Sequence, residues 1–149
     1  MIFQGSKQYP VTEVVLHTSA TPAGWWIGKT VHQMVDEIDH WHKGNGWRGI
    51  GYHRVFAPDG SIGIGRSIYD IGAHVAGHNR GTIGICMVPT AWVDRIGKPE
   101  DFYTDVQIEA VRAYIRELAG LTAISKVSGH NDYANKLCPG FKVQTEDWL

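Results

Sequence analysis

Two short apolar runs do most to limit what this chain can become. Glu13–His17 (EVVLH) and Thr82–Val88 (TIGICMV) have the length of buried strands rather than helices. Between and after them lie segments with a different period. Thr30 and Gln33 form a capping box, and Val31, Met34, Val35, Ile38 and Trp41 follow as a helical stripe that ends at the glycines of KGNGW (43–47). Thr104 and Gln107 form a second capping box, ahead of Ile108, Val111, Ile115 and Leu118, with Gly120 as the stop. Residues 51–66 read as two strands joined by the Pro58-Asp59-Gly60 turn. Residues 70–81 read as a glycine-rich loop, and Pro89–Tyr103 as a surface loop. Residues 126–141 give a short strand and a long loop, and the tail VQTEDWL a last helical turn. Strands interleaved with helices predict an α/β fold: a single domain, 1–149, with a central mixed β-sheet flanked by α-helices.

Composition removes several function classes. Fourteen basic and 15 acidic residues leave a net charge of −1, which gives no footprint for nucleic acid or an anionic membrane. No apolar run reaches the length of a membrane-spanning helix, and MIFQGSKQYP lacks the basic and apolar regions of a secretory signal, so neither membrane insertion nor secretion is expected. Two cysteines do not make a disulfide scaffold, although a single Cys86–Cys138 bridge is allowed on paper. Cys86, inside TIGICMV, reads as core.

Eight histidines are the unusual count, and three residues form a candidate metal set. His17 ends a predicted strand, while His130 and Cys138 share one loop, HNDYANKLC. Strand ends and the loops beside them are where α/β sheets usually carry chemistry. Two imidazoles and a thiolate suit zinc with one position open, the arrangement of a catalytic site. Blue copper needs a weak axial Met, and none of Met1, Met34 and Met87 follows Cys138 in its loop. The competing account keeps His130 as a loop cap, His17 as a satisfied strand-end histidine and Cys138 as a small buried hydrophobe. Spacing alone leaves both open.

Eight motifs in order carry a resemblance across nearly the whole chain. They are H-T-S-A-T (17–21), W-H (41–42), G-W (46–47), I-G-Y-H (50–53), G-R (65–66), G-A-H-x-x-G-x-N (72–79), I-G-I-C (83–86) and H-x7-C-P-G-F (130–141). Together they resemble the type 2 N-acetylmuramoyl-L-alanine amidases, which share the peptidoglycan recognition protein fold. The lysine of K-x-C-P resembles the short phage endolysin branch; animal recognition proteins usually carry Thr where Lys136 stands. The resemblance implies one zinc ion held by His17, His130 and Cys138, with Tyr52 and Lys136 assisting the chemistry. It also implies a substrate, bacterial peptidoglycan, cut at the amide between the lactyl group of N-acetylmuramic acid and L-alanine. A monomer is expected, held in the host cytoplasm until lysis and then acting on the wall, with room for a second protein partner such as a polymerase.

Ordinary pKa values near 10 make Tyr52 and Lys136 poor bases at neutral pH. Lys136 therefore reads as a stabiliser of the oxyanion, and Tyr52 as a hydrogen-bonding partner of the attacking water or the oxyanion. His74 and Asn79, in the glycine-rich loop, are candidate contacts for the peptide stem or lactyl group, with a turn role as the alternative. His53 is expected to point opposite Tyr52 as a hydrogen-bonded core residue. His40 and His42 are expected near a helix end, where a cation suits the dipole. Trp25, Trp26 and Trp47 flank the expected groove in sequence, with core packing as their default. Three other functions compete: a cysteine peptidase using Cys138, a two-carboxylate muramidase, and a wall-binding or regulatory module.

Overall fold

A computed structural model describes all 149 residues. The chain opens with a small antiparallel hairpin, β1 (Phe3–Gln4) and β2 (Tyr9–Pro10). The main sheet follows as β3 (Glu13–Thr18), β4 (Arg54–Phe56), β5 (Ile62–Ile64), β6 (Thr82–Met87) and β7 (Lys126–Gly129), in the order β5-β4-β6-β3-β7. Strands β4, β6, β3 and β7 run parallel, and β5 folds back antiparallel on β4. Parallel strands of one sheet need crossovers, and two of these carry long helices: α1 (Val31–Gly44) between β3 and β4, and α3 (Asp105–Leu121) between β6 and β7. Both expected capping boxes are formed, by Thr30 with Gln33 and by Thr104 with Gln107.

Strand alternation divides the core into two unequal parts. One face carries Val14, Leu16, Phe56, Ile83, Ile85 and Met87 against Ile108, Val111, Ile115 and Leu118 of α3. The other face carries Val55, Cys86 and Val88 against Val31, Met34, Val35 and Ile38 of α1. Cys86 is core, as expected, and both cysteines are free, so the bridge allowed on paper is not formed.

Three local expectations need correction. Pro89–Tyr103 is not only a surface loop. It contains the short helix α2 (Pro99–Phe102), and Phe102 and Tyr103 are buried. The Tyr103 hydroxyl donates to the Pro139 carbonyl at 2.7 Å, so this segment supports the loop that carries Cys138. Trp41 leaves the buried stripe of α1; it stays 42% exposed and packs on Trp25 at 5.4 Å between ring centroids. Helix α3 passes Gly120 and ends at Leu121, capped from Thr122. The tail forms α4 (Thr145–Trp148), whose Trp148 stacks on Phe141.

The β1–β2 hairpin carries no periodic signal, with two residues in each strand. It is held by Gln4, which is fully buried. The Gln4 amide donates to the carbonyls of Thr82 (2.9 Å) and Ile68 (3.2 Å) and accepts from the Gly81 N–H (3.0 Å). That clamp fixes the entry into β6.

Candidate metal centre

Sheet register brings the first two candidate ligands together. Leu16 pairs with Gly129 across the parallel β3–β7 ladder, so the residues that follow, His17 and His130, emerge side by side. His130 opens a 3-10 turn (His130–Asp132). The Asn131 N–H then donates to the Cys138 carbonyl at 2.9 Å and closes the loop that returns Cys138 to the strand ends. The result is a convergent set. His17 Nδ1 lies 3.2 Å from His130 Nδ1 and 3.8 Å from Cys138 Sγ, and no pair of the three donor atoms exceeds 4.8 Å.

These separations suit a metal ion. Zinc–nitrogen and zinc–sulfur bonds of about 2.0 and 2.3 Å at tetrahedral angles put donor atoms about 3.3–3.6 Å apart. Two facing imidazole nitrogens cannot both carry protons at such a distance: one donates to the other, or both turn their lone pairs to a shared cation. Burial first, then the cationic forms of His74 and His130 and the charge of Lys136, holds His17 well below the usual histidine range. Burial, then Lys136, lowers His130 as well. Both rings are therefore neutral near pH 7, the form a metal requires. Burial pushes the Cys138 thiol up to about 11, against the opposing effects of the Thr18 N–H (3.2 Å from Sγ) and Lys136. A cation at Sγ would reverse that balance and expel the proton.

A cleft of about 470 Å³ opens above this set, lined among others by His42, Trp47, Tyr52, His74, Asn79, His130, Tyr133 and Lys136. The Tyr52 ring stands 5.1 Å from the His17 ring. Its hydroxyl has no hydrogen-bond partner in the protein, and burial raises its pKa well above the ordinary value. It is a donor awaiting an acceptor. Lys136 is exposed on the rim with no ion pair. The structure thus brings His17, His130, Cys138, Tyr52 and Lys136 to one place.

His74 and Asn79 also reach the cleft, with both His74 ring nitrogens and the Asn79 Oδ1 engaged by the protein. His74 is 8% exposed; its Nδ1 lies 2.9 Å from His17 Nε2, and its Nε2 lies 3.1 Å from Thr82 Oγ1. Asn79 Oδ1 accepts from the N–H groups of His74 and Val75, both at 2.9 Å. His53 is a hydrogen-bonded core residue, as expected. Its Nε2–H donates to the Asp70 carbonyl (2.8 Å) and its Nδ1 accepts from the Gly84 N–H (3.0 Å). It does not turn away from the site, however: its ring lies 5.8 Å from that of His74, because residues 51–53 precede β4 and escape strict alternation.

His42 corrects another expectation. It sits in the last turn of α1, yet it is not a cation for the dipole. Its Nδ1 accepts from the Gly51 N–H at 2.8 Å, and burial, then Arg66, lowers its pKa. The neutral ring packs between Trp47 (4.6 Å) and Tyr52 (5.4 Å). Its place in the W-H motif was the available signal. Tyr133 was missed outright. Its ring walls the cleft and stacks on His78 at 4.1 Å, while its hydroxyl donates to Glu13 Oε2 (2.5 Å) and accepts from Lys126 Nζ (2.9 Å). Nothing in the spacing marks it. Of the three tryptophans, Trp47 lines the cleft, whereas Trp25 and Trp26 pack against the α1 cluster.

Comparison with known proteins gives the family. The family model described as N-acetylmuramoyl-L-alanine amidase matches residues 7–141. The endolysin of Enterobacteria phage K11 is 35% identical over 141 residues, 95% of this chain and 88% of that protein. The endolysin of Escherichia phage T7 is 32% identical over 139 residues, 93% of this chain and 87% of that protein. Among solved structures, the N-acetylmuramoyl-L-alanine amidase LysC from Clostridium intestinale URNW superposes with a TM-score of 0.72 at 27% identity, covering 93% of this chain and 83% of that one. Bumblebee PGRP-SA, at 22% identity and a TM-score of 0.76, shares the fold. With the match running from the hairpin turn to Phe141 and enclosing every candidate ligand, the chain belongs to the N-acetylmuramoyl-L-alanine amidase family.

Proposed function

We propose that residues 1–149 form one amidase domain that performs its family's reaction with a single zinc ion held by His17, His130 and Cys138. The bond cut is the amide between the lactyl group of N-acetylmuramic acid and L-alanine in bacterial peptidoglycan. The observation that carries this reading is the convergence of two Nδ1 atoms and one Sγ beneath a cleft rimmed by an unpartnered Tyr52 hydroxyl and an unpaired Lys136 ammonium. When bound, zinc would bring the pKa of a water toward about 7 and polarise the scissile carbonyl.

The chain's own groups do the rest. Lys136 supplies positive charge where the tetrahedral oxyanion develops. Tyr52, raised in pKa by burial, stays protonated and donates a hydrogen bond to the oxyanion or orients the attacking water. His42 braces the Tyr52 ring and the Gly51 backbone ahead of it. His74 and Asn79, expected from sequence to contact the substrate, line the cleft, with both His74 ring nitrogens and the Asn79 Oδ1 also bonded within the protein. The cellular role that follows is a phage endolysin, accumulated in the host cytoplasm and released onto the wall at lysis.

Digestion of purified peptidoglycan tests the reading. New alanine amino groups, abolished by a chelator and restored by zinc, are expected. New reducing sugar ends, or activity that survives chelation but not thiol alkylation, would overturn it.

A further inference from the structure

We propose that His74 is a positioning residue for the metal centre, locking His17 in the tautomer that turns Nδ1 toward the metal, and that Thr82 in turn locks His74. The proposal rests on the metal reading above and concerns residues outside the ligand set.

The assignment follows from counting protons. Thr82 Oγ1 has one hydrogen and lies 2.9 Å from the Asn79 carbonyl and 3.1 Å from the His78 carbonyl. Carbonyl oxygens only accept, so the hydroxyl proton goes to them. The hydroxyl lone pair then faces His74 Nε2 at 3.1 Å, and that nitrogen must carry a hydrogen. His74 Nδ1 is left as an acceptor, 2.9 Å from His17 Nε2, which must carry the next hydrogen. His17 Nδ1 is thereby left as a lone pair, facing His130 Nδ1 and Cys138 Sγ. Every step is fixed by the one before it, and the chain is anchored on two groups that cannot change role.

The surroundings are shaped for this ring. A Cβ on Gly84 would fall 2.5 Å from His74 Cγ, and one on Gly72 would fall 2.7 Å from His74 Cδ2, so both glycines leave room for the imidazole. Asn79 holds the backbone that carries it. The relay ends on a hydroxyl and carbonyls, with no carboxylate. It orients His17 without adding negative charge to a centre whose Cys138 would bind the metal as a thiolate. Partners behind metal-bound histidines typically change metal affinity about 10–100-fold when removed.

Thr82→Val tests the far end of the relay, with Thr82→Ser as the variant that keeps the hydroxyl. Zinc affinity of the metal-free protein, measured by competition with a chromophoric chelator, should weaken about 10–100-fold in Thr82→Val and stay near the parent value in Thr82→Ser. Nitrogen-15 NMR of the zinc-free protein should show His17 as the Nε2–H tautomer in the parent and Thr82→Ser, with Nδ1–H appearing in Thr82→Val. A merely structural role for Thr82 would lower thermal stability and leave both readouts unchanged. A folded Thr82→Val with parental affinity and tautomer overturns the proposal. A parent protein that binds no zinc overturns the metal reading instead. Should Thr82→Val fail to fold, His74→Gln, which keeps an acceptor for His17 Nε2–H, is expected to bind zinc more tightly than His74→Leu; equal affinities overturn the proposal.

Discussion

On the α3 face of the sheet, Val14, Leu16, Ile83, Ile85 and Met87 meet an apolar helix and form one continuous cluster of 19 buried residues. On the α1 face, the same strands contribute His17, Gly84 and Cys86, and the apolar cluster shrinks to nine. That face also carries His17 and His74, joined by a hydrogen bond, and His53, which accepts from the Gly84 N–H, all packed around glycines. Leu16 and His17 are neighbours in sequence and differ only in the side of the sheet they face. Strand geometry therefore lets one residue serve stability while the next serves the site. The cost falls on the α1 side, where imidazoles stand in place of hydrocarbon and hold the fold only while neutral.

Four perturbations would break or sharpen this contrast. Cys138→Ser should have the largest effect. Loss of the metal's charge stabilisation, worth several kcal/mol, should reduce amide cleavage at least about a thousandfold. Thermal unfolding of the zinc-free protein should barely move, and a large drop would mean that Cys138 serves the core. Ile115→Ala on the α3 face should do the opposite, removing about 2–5 kcal/mol of stability in denaturant titrations while leaving zinc affinity unchanged. A matching loss of affinity would show that the faces are not independent.

Acid comes third. Burial depresses His53 from 6.5 to about 4, so folding favours its neutral form. Its contribution is complete above pH 6.5 and is lost as pH falls through about 4, about 3 kcal/mol in all. His17 and His74 shift in the same direction, so the parent slope should be steeper than His53 alone would give. Urea titrations at several pH values should show a shallower slope for His53→Gln; an unchanged slope would remove His53 from the account. Smallest is Tyr52→Phe, expected to lower kcat about a hundredfold, or about 2.7 kcal/mol, with zinc content and stability intact. A change in KM alone would reassign Tyr52 to binding.

What the sequence made legible was whatever repeats or caps. Both long helices, their boxes and the two central strands are periodic or bounded by strong local signals. The candidate metal set stood out because eight motifs lay in order; the spacing of His17, His130 and Cys138 by itself was ambiguous. What stayed hidden depends on distant pairing. Gln4, Thr82 and Tyr133 owe their roles to partners 78, 8 and 120 residues away, and no local pattern encodes such partners. His42 was misjudged because a helix end suggests a cation, whereas a hydrogen bond from Gly51 N–H makes the ring an acceptor.

Gln4 also bears on how the molecule may be trimmed. The match to the family model begins at residue 7, three positions after the side chain that grips Thr82 and Gly81. A chain cut to the matched span would retain both histidines, the cysteine, Tyr52 and Lys136, and would still read as a complete amidase. It would lack the amide that seats the last residue of the His17–His74–Thr82 relay. The working boundary of the catalytic unit thus lies upstream of the one that the family model draws, and an excision guided by that match alone would remove part of its foundation.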